Sequence, residues 1–388
     1  MGVIGPGAIG IDKFASLLDR GASAASTIDR FDTNGLSAHT AALVRDFTPR
    51  DFIPPMKLRR MNNLSRFGVA AARLAIDDRG GDLPNNSGVA MGTAFGPVQT
   101  SVDYMQEYVE KGAALAPPQL FAESVANAPG SHTGIEFGLR GFNITITQRE
   151  SSALAALMYA CSQIAKGVVP AAVAGGVDEV SEIAYGVLDR IGALAHANGA
   201  VDECARPFDR RRNGMVAGEG GAVVIAEAAA SRQAYAFVSG FGIARDTTAS
   251  ISDWGDDAEA VGTAMRAAVE DAELSLYDID AIYSSANGSR RADALESRAI
   301  QTTFPGVPVV ATKGYFGEYA AGGALQLIAA IVALRDQKLH KSSGFAEQDD
   351  SMIAPTREPA DRELRHILVN SISAGGGIVC AVLSRDAR

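Results

Sequence analysis

The chain has 388 residues, 47% of them hydrophobic and 21% charged, a composition that suits a large buried core and excludes a disordered chain. Lys and Arg number 35 against 45 Asp and Glu, so the net charge is −10 at pH 7, which argues against nucleic acid or an anionic membrane surface as the main partner. The length corresponds to about two domains, or to one duplicated domain.

The three cysteines, Cys161, Cys204 and Cys380, are odd in number and far apart, which fits a reducing compartment rather than a disulfide framework. The opening residues lack a basic segment followed by a long apolar run. The apolar stretch 320–334 is interrupted by Gln326 and falls short of the roughly 20 residues that span a bilayer. The expected location is cytoplasmic. No metal or cofactor is called for.

In chain order, Gly5-Pro6-Gly7-Ala8-Ile9-Gly10 matches G-x-G-x-x-G. The dinucleotide-binding version needs a full strand before it and an N–H where Pro6 has none, so the segment reads as a plain turn. Short apolar runs at 88–91, 142–147, 171–174 and 222–226, then 236–239, 282–285, 307–312, 366–371 and 378–383, read as strands. Their hydrophobicity is continuous rather than alternating, as expected of sheets covered on both faces. Helical periodicity marks 151–166, 256–272 and 320–337. In each half a strand leads into an Ala- and Leu-rich helix (142–147 into 151–166, 307–312 into 320–337), which predicts an internal duplication with a break near 230–234. The expected halves are 1–232 and 233–388. Gly175-Gly176-Val177-Asp178-Glu179 reads as a tight turn whose acids cap or face solvent, and 349–363 as a solvated loop. The run Arg206-Pro207-Phe208-Asp209-Arg210-Arg211-Arg212-Asn213-Gly214, followed by Gly218-Glu219-Gly220-Gly221, reads as an ordered loop entering a strand.

The order of these motifs resembles the β-ketoacyl synthases of the thiolase superfamily, the condensing enzymes of fatty-acid and polyketide synthesis, nearly end to end. Segment 121–135 (FAESVANAPGSHTGI) resembles the family's dimer-interface segment. Gly138-Leu139-Arg140-Gly141, Ala174-Gly175-Gly176, 206–221, Lys313 with Gly317, and Asn370-Ser371 with Gly375-Gly376-Gly377 complete the set. The resemblance implies an α/β fold of the thiolase-like, duplicated, five-layer αβαβα kind.

The same resemblance places the family's catalytic Cys, His and His at Glu150, Asn287 and Glu318. The family lysine is retained as Lys313, and Ala374 stands where the family has a phenylalanine gate. A carboxylate is a poor acyl acceptor, because a mixed anhydride hydrolyses quickly, and it repels a malonyl carboxylate. The expected function is therefore that of a non-condensing subunit, similar to the chain-length factors that pair with an active ketosynthase and shape the acyl-chain tunnel in polyketide, polyene or fatty-acid biosynthesis. The alternatives are a homodimeric pseudoenzyme, or a malonyl-ACP decarboxylase or hydrolase using Glu150. Chain-length factors commonly carry glutamine at the nucleophile position, so the glutamate is a departure. A buried Glu150 needs a partner, for which Lys313 is the natural candidate. Val102, Met105, Tyr108 and Ala374 are candidate tunnel residues. Lys57, Arg59, Arg60 and Arg66 are a candidate docking cluster for an acidic acyl carrier protein.

Overall fold

The computed structural model describes residues 1–199, 201–228 and 234–387, so the expected break between 232 and 233 lies outside the described residues. Two sheets carry the fold. The first runs Ala8–Ile9, Gly2–Gly5, Gly220–Glu227, Ala171–Asp178, Gly88–Gly92, Asn143–Ile146. The second runs Phe237–Arg245, Gly377–Ser384, His366–Ile372, Ala281–Ser284, Val309–Ala311. With the Ala8–Ile9 hairpin set aside, both sheets order their five strands 1-5-4-2-3 along the chain. Both also share the pattern antiparallel, antiparallel, parallel, parallel. Repetition of one topology on a single chain is the duplication read from the sequence.

In each half the third strand feeds a central helix, Ser152–Ala165 in one and Ala320–Asp336 in the other. Both helices lie between the sheets within one apolar core. Strand alternation feeds two further cores. Ala90 faces the central helices while Val89 and Met91 face Leu64 and Phe67 of the outer helix Asn63–Arg79. Tyr283 faces inward while Ile282 meets Val261 and Met265 of the outer helix Ala258–Asp271. Helices Ala128–Phe137 and Arg290–Thr303 complete the outer layers. The result is the five-layer αβαβα arrangement, and the inner strands Gly88–Gly92, Ala171–Asp178, Ala281–Ser284 and His366–Ile372 are buried almost throughout because both their faces are covered.

Small residues let the layers close. A Cβ on Gly92 would lie 2.5–2.7 Å from the backbone of Ser152 and Ala153, and one on Gly176 would lie 3.0 Å from the Ala153 Cβ. The Gly5–Gly10 motif is a hairpin turn, with Ile4 opposite Ile9 and Gly5 opposite Ala8, and Gly7 takes a left-handed φ of 67°. That agrees with the turn reading and leaves no phosphate loop. The arginine-rich loop is ordered by internal pairs: Arg210 with Glu347, Arg211 with Asp209, and Arg212 with Asp349. The last of these, together with buried Met352, ties part of the expected solvated loop 349–363 to the body.

The two sheet ends differ. Strand Val309–Ala311 is capped at its outer edge by the following loop: the Ser343 N–H donates to the Ala311 carbonyl (3.1 Å) and the Thr356 N–H to that of Val309 (2.8 Å). Its counterpart Asn143–Ile146 pairs with Gly88–Gly92 alone, and among the described residues no strand covers its outer edge.

Candidate functional site

The strand-to-helix turns of both halves meet in the seam between the sheets, and they carry Glu150 and Glu318. Arg149 adopts a left-handed φ of 52°, an unusual conformation for a residue with a side chain. It is followed directly by Glu150 at the amino end of the central helix. The buried Glu150 carboxylate accepts the Ala374 N–H at Oε2 (3.0 Å), and Arg149 Nη2 lies 3.6 Å from its Oε1. The Arg149 guanidinium also stacks over the Phe95 ring, 4.7 Å from its centroid.

The second half contributes a closed network. Lys313 Nζ donates to Glu318 Oε2 (2.6 Å) and Ser285 Oγ (3.3 Å), and Asn287 Nδ2 donates to the same Glu318 oxygen (2.8 Å). Lys313 is wholly buried. The expected Glu150–Lys313 contact is not formed as an ion pair within 4.0 Å: Lys313 pairs with Glu318, and Arg149 is the cation beside Glu150. The short turn Lys313–Phe316, followed by Gly317 at φ 81°, folds the chain back so that Glu318 reaches Lys313 first.

Behind this network, Asp293 accepts the N–H groups of Phe208, Asn287 and Gly288 (2.8–3.3 Å). Glu296 accepts from the Ser285 N–H (2.8 Å) and Asn370 Nδ2 (2.6 Å). Asp178 accepts from the Thr93 hydroxyl, the Ala94 N–H and the Ala320 N–H, and so caps the second central helix. Glu150, Asp178, Glu179 and Glu318 share the walls of a cavity of about 30 Å³ with Phe95 and Tyr319, room for about two water molecules. Among the described residues no cluster of three or more His, Cys, Asp or Glu could hold a metal, and no helix is long and apolar enough to cross a membrane.

Burial dominates the titration of these acids. It raises Asp178 and Asp293 to about 6, and Glu179, Glu296 and Glu318 to about 7, in the last case against the pull of Lys313. In the unfolded chain these groups ionise near 4, so between about pH 4 and 7 the native state binds more protons and stability falls as pH rises. The melting temperature is expected to drop by about 5 °C or more from pH 6 to pH 8, with a smaller drop in Asp178→Asn. A flat or rising profile would contradict the assignment.

The structure separates the other expected residues. Ala374 joins Glu150, but Val102, Met105 and Tyr108 lie on the surface helix Val98–Lys111, where Met105 is 54% and Tyr108 43% exposed. In the basic cluster, Lys57 pairs with Glu136 (2.7 Å) and Arg66 turns back to the Leu58 carbonyl (3.2 Å), while Arg59 and Arg60 stay exposed. Of the four, Lys57 is thus the one paired with a carboxylate among the described residues.

Residues 1–231 match the family model of the β-ketoacyl synthase N-terminal domain, and residues 235–346 match that of the C-terminal domain. The chain belongs to the β-ketoacyl synthase family. It is 30% identical to a putative polyketide β-ketoacyl synthase 1 of Streptomyces halstedii, over 99% of this chain and 96% of the relative. The ishigamide ketosynthase/chain length factor superposes with a TM-score of 0.90 at 26% identity, covering 100% of this chain and 98% of the other. A type II polyketide synthase acyl-carrier protein in complex with its ketosynthase bound to a hexaketide gives a TM-score of 0.88 at 19% identity, covering 99% and 97%, a likeness of fold.

Proposed function

We propose that the chain is the non-condensing subunit, the chain-length factor, of a heterodimeric β-ketoacyl-ACP synthase, and that it shapes the acyl-chain tunnel without performing condensation. The observation that carries this reading is the Glu150 carboxylate at the amino end of the central helix, hydrogen-bonded to Ala374. A helix amino end favours an anion, and here the anion is the chain's own side chain in place of a thiolate. Asn287 and Lys313, the first at one of the family's histidine positions, both bond Glu318 at the other, so the Glu318 oxygen nearest them is taken up within this network. The cysteines offer no substitute: burial pushes Cys161 up to about 12 and raises Cys204 and Cys380 as well, which keeps them as thiols.

Pairing fits the surface. The open edge of Asn143–Ile146 is a template for strand addition. Exposed Met105, Tyr108, Val109, Phe121 and Val125 form apolar surface nearby in sequence on either side of the 112–117 loop, of the kind that marks a protein interface. The name of the ishigamide neighbour supports such a pair. The carrier protein meets the exposed Arg59 and Arg60, with Lys57 and Arg66 as secondary contributors, and the attraction weakens with salt.

Product length is the test. With the paired ketosynthase and carrier protein, Met105→Ala and Tyr108→Ala are expected to lengthen the main product by at least one two-carbon unit, read by mass spectrometry of the released chains. Unchanged lengths in both variants would remove the tunnel role.

A further inference from the structure

The Asp178-Glu179 pair follows the buried strand Ala171–Asp178, and the mechanism above leaves its second member unused. Asp178 holds the amino end of a central helix. Glu179 does the same for a different element, 80 residues away in sequence: its Oε1 accepts the Gln99 N–H at 3.1 Å, in the first turn of Val98–Lys111. That helix is otherwise loosely held. Pro97 at its N-cap supplies no side-chain bond, and Thr100 is its one buried residue. Ser101 adds a bond to the Ser124 carbonyl (3.3 Å), and the helices packed most closely against it are the short Pro118–Glu123 and Glu182–Arg190. A carboxylate at an amino end gains from both the free N–H and the helix dipole.

We propose that Glu179 is the positioning residue that fixes the helix carrying Val102, Met105 and Tyr108 against the body of the fold, and so sets the tunnel depth those side chains define. The inference rests on the chain-length reading given above. Geometry supplies the link: one carboxylate joins the wall of the Glu150–Glu318 cavity to the surface helix. The charged groups facing Glu179 are Glu219 and Asp178, which oppose its ionisation, and Arg30, which favours it while being shared with Glu219 at 2.7–2.8 Å. Asp103 lies on the anchored helix itself, bonded to the Gln99 side chain (2.8 Å). With burial added, Glu179 ionises near neutral pH, so the anchor weakens as pH falls through that range.

Two measurements on the full chain test this. Hydrogen exchange of the purified protein is expected to show amides 99–102 exchanging at least tenfold faster in Glu179→Ala than in wild type, with the central helices unchanged. Faster exchange throughout the chain, or no local change, would overturn the proposal. In the complex with the ketosynthase and carrier protein, Glu179→Ala should broaden the product lengths, and Glu179→Gln, which keeps an acceptor oxygen but not the charge that gains from the helix dipole, should broaden them less. Wild type should broaden from pH 8 to pH 6, whereas Glu179→Gln should not. If Met105→Ala changes product length but Glu179→Ala does not, the positioning role fails while the tunnel reading stands. If neither variant changes it, the tunnel reading itself fails.

Discussion

Lys313→Met is expected to destabilise the protein by about 3–5 kcal/mol, the cost of leaving one member of a buried ion pair without the other. Lys313 and Glu318 are both almost inaccessible and lie 2.6 Å apart. Removing the ammonium leaves the Glu318 carboxylate with the Asn287 amide and its neighbouring Tyr319 N–H. Burial already raises Glu318 to about 7, so without Lys313 it holds its proton to higher pH, and the penalty should shrink on acidification. Adding Glu318→Gln to Lys313→Met should recover a large part of the loss, because the double variant buries no charge. Chemical denaturation of the four proteins in a double-mutant cycle measures this. A single-variant loss below about 1 kcal/mol, near the value of exposed pairs, would show that the network is not the closed unit described.

Thr145→Pro is expected to abolish pairing with the ketosynthase while leaving the chain folded. The carbonyls of Phe142 and Ile146 accept from Val89 and Thr93 (2.8 and 3.0 Å), so by strand alternation the N–H groups of Asn143 and Thr145 point to the open edge. Proline there removes a donor and places its ring where a partner strand would lie, yet breaks no bond to Gly88–Gly92. The expected loss is at least about 100-fold in affinity, or roughly 3 kcal/mol, measured against Thr145→Val as a control. Equal binding by the proline variant would move the interface elsewhere.

The layers were legible because strands covered on both faces read as unbroken apolar runs, and the central helices as Ala- and Leu-rich segments without early charge. Strand Gly2–Gly5 was not, since four residues before a Pro-Gly turn carry too little pattern to distinguish from a loop. Glu150, Asn287, Lys313 and Glu318 were each named by motif, but their pairing was not: Glu318 meets Lys313 because Gly317 reverses the chain. The reading of Asp178 and Glu179 as caps was open in the sequence, but their partners, Ala320 and Gln99, come from distant segments that only the tertiary fold brings near. The basic cluster looked uniform in sequence for the same reason, as Glu136 reaches Lys57 from 79 residues away.

The central claim is that this chain acts as one half of a pair. Native mass spectrometry of the chain co-expressed with a ketosynthase encoded beside it tests that directly. The account predicts a 1:1 complex, in which acyl groups supplied on the carrier protein load onto the ketosynthase and never onto this chain. A stable homodimer that ignores the ketosynthase, or an acyl adduct on this chain, would contradict it.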